Sequence, residues 1–187
     1  MNAIIDHLLT RRSIKAQEHT SPGPSEEELA LILEAANRVP DHKKLGPWRF
    51  LLIKGQARQD TGKVLAEIFK ADHPDASDKL IEFESNRFIR SPLVIGVIIS
   101  PVENEKVPRD EQVLAVGAVC QNLIVAASSL GYGAQWLTEW YSYHRDMHSY
   151  LKLAKNESLA GFVYIGSTSC KPEERQRANL EDRIKTL

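Results

Sequence analysis

The chain of 187 residues predicts an α+β fold, a small sheet flanked by helices, and three observations point there. Four short apolar or β-branched runs read as strands: Phe50–Ile53, Leu93–Ile99, Ala134–Thr138 and Leu159–Ile165. Five or six segments between them carry helical periodicity. Their spacing is too uneven for a βαβ repeat, which leaves a layered α+β arrangement. The third observation is a stretch from Val113 to Leu130, apolar nearly all round, that reads as a central buried helix.

Size and composition bound the function. A chain of this length suits one domain, residues 1–187, with a core that buries most of its apolar side chains. Hydrophobic residues make up 42% and charged ones 26%, as expected of a soluble globular protein. The net charge of −1 lacks the footprint of a nucleic-acid or membrane-surface binder. No apolar run matches the roughly 20 residues that span a bilayer, and Met1–Thr10 lacks the order of a signal peptide. Cys120 and Cys170 share no metal or redox spacing, so a reduced, cytoplasmic setting is expected.

Taken in order, Asn2–Thr10 reads as a short helix with Ile4, Ile5, Leu8 and Leu9 on one stripe. It runs into Arg11-Arg12-Ser13-Ile14-Lys15. These cations can complement a helix dipole, or they can grip a phosphate with two guanidiniums, a hydroxyl and an ammonium. Ser25 with Glu28 is a capping box opening a second helix up to Asn37. Arg38–Phe50 follows, a loop with two prolines, Trp48 and five charged side chains besides His42. It is longer and chemically denser than a connector needs. Pro40 and Pro47 partly fix its shape. The plain alternative is Trp48 plugging the core among solvated charges.

Gln56–Lys70 and Ser77–Ile89 read as charged amphipathic helices broken at Asp72–Asp75, a candidate lid or simply a solvated face. Pro108 suits a helix start, with Asp110 and Glu111 in the first turn. Gly117, Ala118, Ala126 and Ala127 leave room for another helix beside Val113–Leu130, and a subunit interface would cover that helix. Gly131 sits at the left-handed position after a helix, and Tyr143–Leu153 reads as a late short helix. The tail Lys171–Leu187 carries Arg175 and Arg177 before an end with helical character.

His144 and His148 stand four apart as zinc-binding pairs do, but His-Arg-Asp-Met-His lacks the glutamate of the protease motif and offers no third ligand. No nucleophile elbow, phosphate-binding Walker loop or dinucleotide glycine fingerprint is present. An enzyme built this way leaves its chemistry to a cofactor.

Four pieces together resemble the FMN-dependent nitroreductase family, in its short single-domain bacterial NAD(P)H nitroreductase branch. They are Arg11–Lys15, Pro40-Asp41-His42-Lys43 with Pro47-Trp48-Arg49-Phe50, Gly131–Trp136, and late Gly166 with Arg177. The resemblance implies a mixed or antiparallel sheet between helices, a long central helix at a homodimer interface, and FMN between the subunits. Residue by residue, it implies phosphate contacts from Arg11, Ser13 and Arg177, with Arg12 alongside. It places Lys15 by the flavin pyrimidine, as the stabiliser of charge near N1 and O2. It brings Arg38 and His42 from the partner, and lines the ring near N5 with Trp136, Leu137 and Thr138. Lys44 stands where the family often has Asn.

The implied activity is electron transfer from NADH or NADPH through FMN to a small acceptor such as a nitroaromatic or quinone, in ping-pong fashion. The other reading is a flavin-binding protein for storage, sensing or a specialised flavin reaction. Both need the same site.

Overall fold

The computed structural model describes residues 2–187. Six helices and four strands alternate unevenly: α1 (Ala3–Thr10), α2 (Glu26–Ala36), β1 (Trp48–Lys54), α3 (Gln56–Asp72), α4 (Asp78–Ser85), β2 (Leu93–Ile99), α5 (Arg109–Ser129), β3 (Gly133–Leu137), α6 (Arg145–Tyr150) and β4 (Ser158–Gly166). The strands form one sheet in the order β1-β2-β4-β3, every neighbouring pair antiparallel. The fold is α+β, as the uneven spacing predicts.

Both faces of the sheet are covered, and β2 is buried along its whole length. That explains its unbroken apolar sequence, since alternation appears only where one face meets water. One layer packs α2 and α5 on Ile95, Val97, Val163 and Ile165. The opposite layer is aromatic. Phe88, Tyr141, Phe162 and Tyr164 are fully buried there, with Phe88 and Phe162 edge to face at 5.2 Å.

Local signals set several element ends. Ser25 accepts from Glu28 N, and the Glu28 carboxylate accepts from Ser25 N, so the capping box forms. Asn2 and Ser77 cap α1 and α4. Gly131 (φ 88°) ends the turn after α5 in the left-handed region.

Other expectations need correction. The run Ser77–Ile89 is not one helix; α4 stops at Ser85, and Phe88–Arg90 form a separate 3-10 turn. The break lets Phe88 drop into the aromatic layer while Arg87 stays at the rim. The late helix covers only Arg145–Tyr150, because His144 is its cap. The tail carries a single 3-10 turn, Glu181–Arg183, and no α-helix. Pro108 lies one place before the first helical residue of α5, as its N-cap. Within the charged middle region α3 and α4 pack closely on each other. A Cβ on Gly62 of α3 would stand 2.0 Å from Ser85 O, so bare glycine is what lets α4 pack there.

His19 is buried against Gly133 of β3 and Gly166 of β4, its Nδ1 hydrogen-bonded to Ser91 Oγ (2.7 Å) and its Nε2 without a partner. Burial pushes its imidazole down to about 4. Unfolded, the same group protonates near 6.5. Between those values the unfolded chain binds a proton that the folded chain refuses, so stability falls as pH drops from about 6.5 to 4. The slope from this group reaches about 1.4 kcal/mol per pH unit. Urea unfolding across that window should show His19→Asn with a shallower dependence than the parent, by close to one proton. Parallel curves would show that His19 does not drive it.

Candidate functional site

The site forms where the two ends of the chain meet on the sheet edge. The arm after α1 is sewn to β3: Ile14 N donates to Ala134 O (3.2 Å) and Ala16 N to Gln135 Oε1 (2.6 Å). The chain beyond β4 is sewn to the same arm by the Thr20–Ser167 bridge. Arg11, Arg12, Ser13, Lys15, Gln135, Arg175 and Arg177 thereby line one cleft of ≈ 220 Å³. Of the sequence candidates, the structure brings Arg11, Arg12, Ser13, Lys15 and Arg177 together. Gln135 and Arg175 were not among them. Gln135 was legible only as the neighbour of Trp136, and Arg175 only as a second cation two places before Arg177.

Five cations and no lining carboxylate make this an anion site by charge. Arg11 shows it most directly. Burial first, and then Arg177 and Arg12, lower its pKa, so its cationic form is disfavoured where it stands. Its Nε is buried without a hydrogen-bond partner, and its Nη2 reaches Ser13 Oγ at only 3.4 Å. A buried guanidinium donor left unpaired is costly, and a phosphate oxygen is a partner of the right sign and shape. Glu174 meanwhile bridges Arg12 (3.5 Å) and Arg177 (3.1 Å) at the rim, and Arg12 also donates to Glu173 O.

The remaining candidates lie along β3 and beside α5. Trp136 continues the strand from Gln135, is 38% exposed, and donates from Nε1 to Ala160 O (2.9 Å). Leu137 is half-buried and Thr138 exposed at the strand end. Arg38 and His42 do not join the cleft within one chain. His42 pairs through Nδ1 with Glu111 (2.8 Å), and both line a separate ≈ 550 Å³ hollow with Pro40, Asp41, Leu114, Ala115 and Ala118. Lys43 and Lys44 have φ of 63° and 56°, so this loop holds two non-glycine residues in a region they seldom adopt. Trp48 packs at the core edge and donates to Asn37 Oδ1 (2.9 Å), so the plug reading holds for it.

His144 and His148 point to different partners. His144 Nε2 meets Asp72 (2.9 Å) while His148 Nε2 meets Ser142 O (2.7 Å), so the two rings do not converge. Among the described residues no group of three His, Cys, Asp or Glu is placed to hold a metal ion.

An antiparallel sheet between helix layers, with a cation-lined cleft at its edge, defines an α+β protein with a candidate anion site. The Nitroreductase family profile matches residues 8–167, and the chain belongs to that family. YdjA of Escherichia coli K12, provisionally named an NAD(P)H nitroreductase, is 33% identical over 167 residues, 89% of each chain. A nitroreductase-like family protein from Bacillus cereus shares the fold with a TM-score of 0.84 at 23% identity, over 100% of this chain and 97% of that one. So does a provisionally named nitroreductase from Desulfovibrio desulfuricans, solved with FMN, with a TM-score of 0.75 at 23% identity over 100% and 98%.

Inorganic phosphate should raise the melting temperature, because it would bind the folded cleft and not the unfolded chain. Arg177→Ala should shrink that rise, and Glu174→Gln should enlarge it by removing the rim carboxylate that competes for Arg12 and Arg177. A phosphate-independent melting temperature in all three proteins would refute the anion site.

Proposed function

We propose that this member of the nitroreductase family is an NAD(P)H-dependent FMN oxidoreductase acting on small acceptors such as quinones or nitroaromatics. The observation that carries the reading is the cleft of five cations with an unpaired buried Arg11 Nε, suited to the FMN phosphate. Arg11, Ser13 and Arg177 would hold that phosphate, with Arg12 and Arg175 adding field. Lys15, exposed on the same cleft, would lie toward the pyrimidine edge, and the Trp136–Thr138 backbone would line the ring. FMN held by these residues would supply hydride chemistry between NADH or NADPH and a small acceptor, in ping-pong fashion. A cation held at the pyrimidine edge adds positive potential where negative charge accumulates on reduction, without reorganising.

The 187 residues would act as one domain in a cytoplasmic homodimer, with the cofactor between subunits. Apolar surface supports the dimer. Leu114 of α5 is 74% exposed, and Ile4 and Leu9 of α1 are 69% and 66% exposed. Half-buried Ala118 and Val125 lie along the same helix. A two-fold axis across α5 would set the start of one helix against the end of its partner. The hollow of His42 and Glu111 lies at the start of α5, and α1, which leads into Arg11, lies at its end. Antiparallel packing would therefore carry the partner's Arg38–His42 loop toward the cation cleft.

Purified protein should be yellow and release FMN. Arg177→Ala should weaken FMN binding roughly 10- to 100-fold, as loss of one charged contact of about 1.5–3 kcal/mol predicts. Lys15→Met should still bind oxidised FMN but lower its midpoint potential by about 30–60 mV, equivalent to about 1.4–2.8 kcal/mol in a two-electron couple. Equal midpoints in a spectroelectrochemical titration would remove Lys15 from the flavin. Flavin that NAD(P)H does not reduce would favour storage or sensing. Sedimentation should give a dimer at micromolar concentration, and a folded monomer there would exclude the composite site.

A further inference from the structure

The flavin-lining segment of the proposed site, Trp136–Thr138, is gripped from two directions by residues to which no role has been given. From below comes Gly161 of β4. The β2–β4 register slips between Val97 and Ile98, passing over Ala160, and leaves Gly161 at φ 133°. A Cβ there would lie 2.6 Å from Leu137 O, 2.6 Å from Trp136 Nε1 and 2.9 Å from Thr138 Cγ2. Bare backbone at this bulge is what lets the end of β3 settle onto β4.

From the far end comes Glu139, the residue after Thr138. Its Oε1 accepts from Arg87, and its Oε2 accepts from Arg90 Nη2 (2.5 Å) and Tyr141 OH (2.5 Å). Tyr141 OH meets Tyr164 OH at 2.7 Å, inside the aromatic layer. Glu84, 4% exposed at its side chain, closes the cluster by accepting from Arg87 (2.6 Å) and from Trp140 Nε1 (2.9 Å). These side chains are 4–22% exposed, so their charges have left most of their water. Buried ion clusters seldom add net stability over an apolar packing, and fixing one geometry is the better-attested reason for keeping one. This cluster stands at the exit of the strand that would face the ring.

We propose that Glu139, clamped by Arg87 and Arg90, and Gly161 are positioning residues that fix the Trp136–Thr138 backbone for the isoalloxazine ring. They act through the strand end: Gly161 sets its depth, and Glu139 sets the direction in which the chain leaves. The inference rests on the proposed FMN site only for what the backbone is positioned toward. The pinning itself belongs to the chain alone.

The test uses the full-length protein, with and without FMN, in Glu139→Gln, Arg90→Lys and Gly161→Ala. Glu157→Gln is the control, because the Arg49–Glu157 pair (2.7 Å) is an equally formed ion pair tying β1 to the loop before β4. In flavin-free protein, amide exchange at Leu137 and Thr138 should quicken at least about ten-fold in the first three variants and not in the control. FMN affinity should fall about ten-fold or more in those variants, and the absorption band of bound flavin should shift. The phosphate-induced rise in melting temperature should stay at its parental value, since the cation cleft is untouched. Arg90→Lys keeps the charge and serves if Glu139→Gln fails to fold. Variants that lose melting temperature as the control does, with exchange at Leu137 and Thr138 unchanged, would overturn the proposal. If FMN binds no variant and not the parent, the functional reading falls, and the exchange data still decide whether the clamp exists.

Discussion

The pairing of β4 with both β2 and β3 is the constraint on which the rest depends. β4 is the one strand with ladder partners on both sides that also ends at the site. Its register with β3 runs from Leu137 opposite Phe162 to Gly133 opposite Gly166. Continuing past Gly166, Ser167 pairs with Thr20 and draws the N-terminal arm onto the same edge. Side-chain direction along a strand alternates with every residue, so a slip of one place would turn Phe162 and Tyr164 out of the aromatic layer. The hydrophobic pattern thereby fixes the ladder, and the ladder brings residues 11–15 and 175–177 together.

That meeting concentrates like charge. Arg11, Arg12, Lys15, Arg175 and Arg177 crowd one small cleft, and among the described residues Glu174 is the one carboxylate paired there, with Arg12 and Arg177 at the rim. Elsewhere the molecule treats its arginines differently. Arg49 shares two bonds with Glu157, whose carboxyl is pulled down to about 2 by that guanidinium, and Arg87 and Arg90 are matched by Glu84 and Glu139. The same residue type is neutralised where it supports structure and left short of partners at the proposed ligand site. Unpaired positive charge is destabilising to the empty protein and favourable to an anionic one, which is how a binding site differs from a structural ion pair.

Helix α5 imposes a second constraint. Over 21 residues it is apolar enough to pass for a membrane span by composition, yet Val116, Val119 and Leu123 are fully buried beneath the sheet. Cys120 is buried with them, and desolvation pushes its thiol up to about 12, which leaves it unreactive at neutral pH. On the opposite side Leu114 is 74% exposed, and the small residues Gly117 and Ala118 beside it are half-buried. Together with the exposed stripe of α1 this side makes an apolar surface larger than scattered single residues would produce.

The sequence by itself determined most of the secondary structure and the chemistry of the candidates, but not the break of Ser77–Ile89 at Ser85 or the loss of a helix in the tail. Strand composition, the Ser25–Glu28 box, Gly131 and the break at Asp72–Asp75 are signals carried within a few residues, and such signals are local by nature. The Arg11–Lys15 cluster was legible for the same reason. Tertiary structure alone decided what depends on distant parts meeting. Gln135 and Arg175 join the cleft only through the β3–β4 ladder and the Thr20–Ser167 bridge, across more than a hundred residues of chain. Arg38 and His42 are not in it, and His42 pairs instead with Glu111 at the start of α5, a placement no spacing in the sequence encodes. His144 caps α6 through Nδ1 and turns Nε2 to Asp72 of α3, away from His148, a pairing that spacing does not reveal. Gly161 and the Arg87–Arg90–Glu139 cluster read as an unremarkable glycine and ordinary charges until the bulge and the burial are seen. Periodicity reports which face of an element is apolar, whereas desolvation and close approach depend on which other face arrives against it.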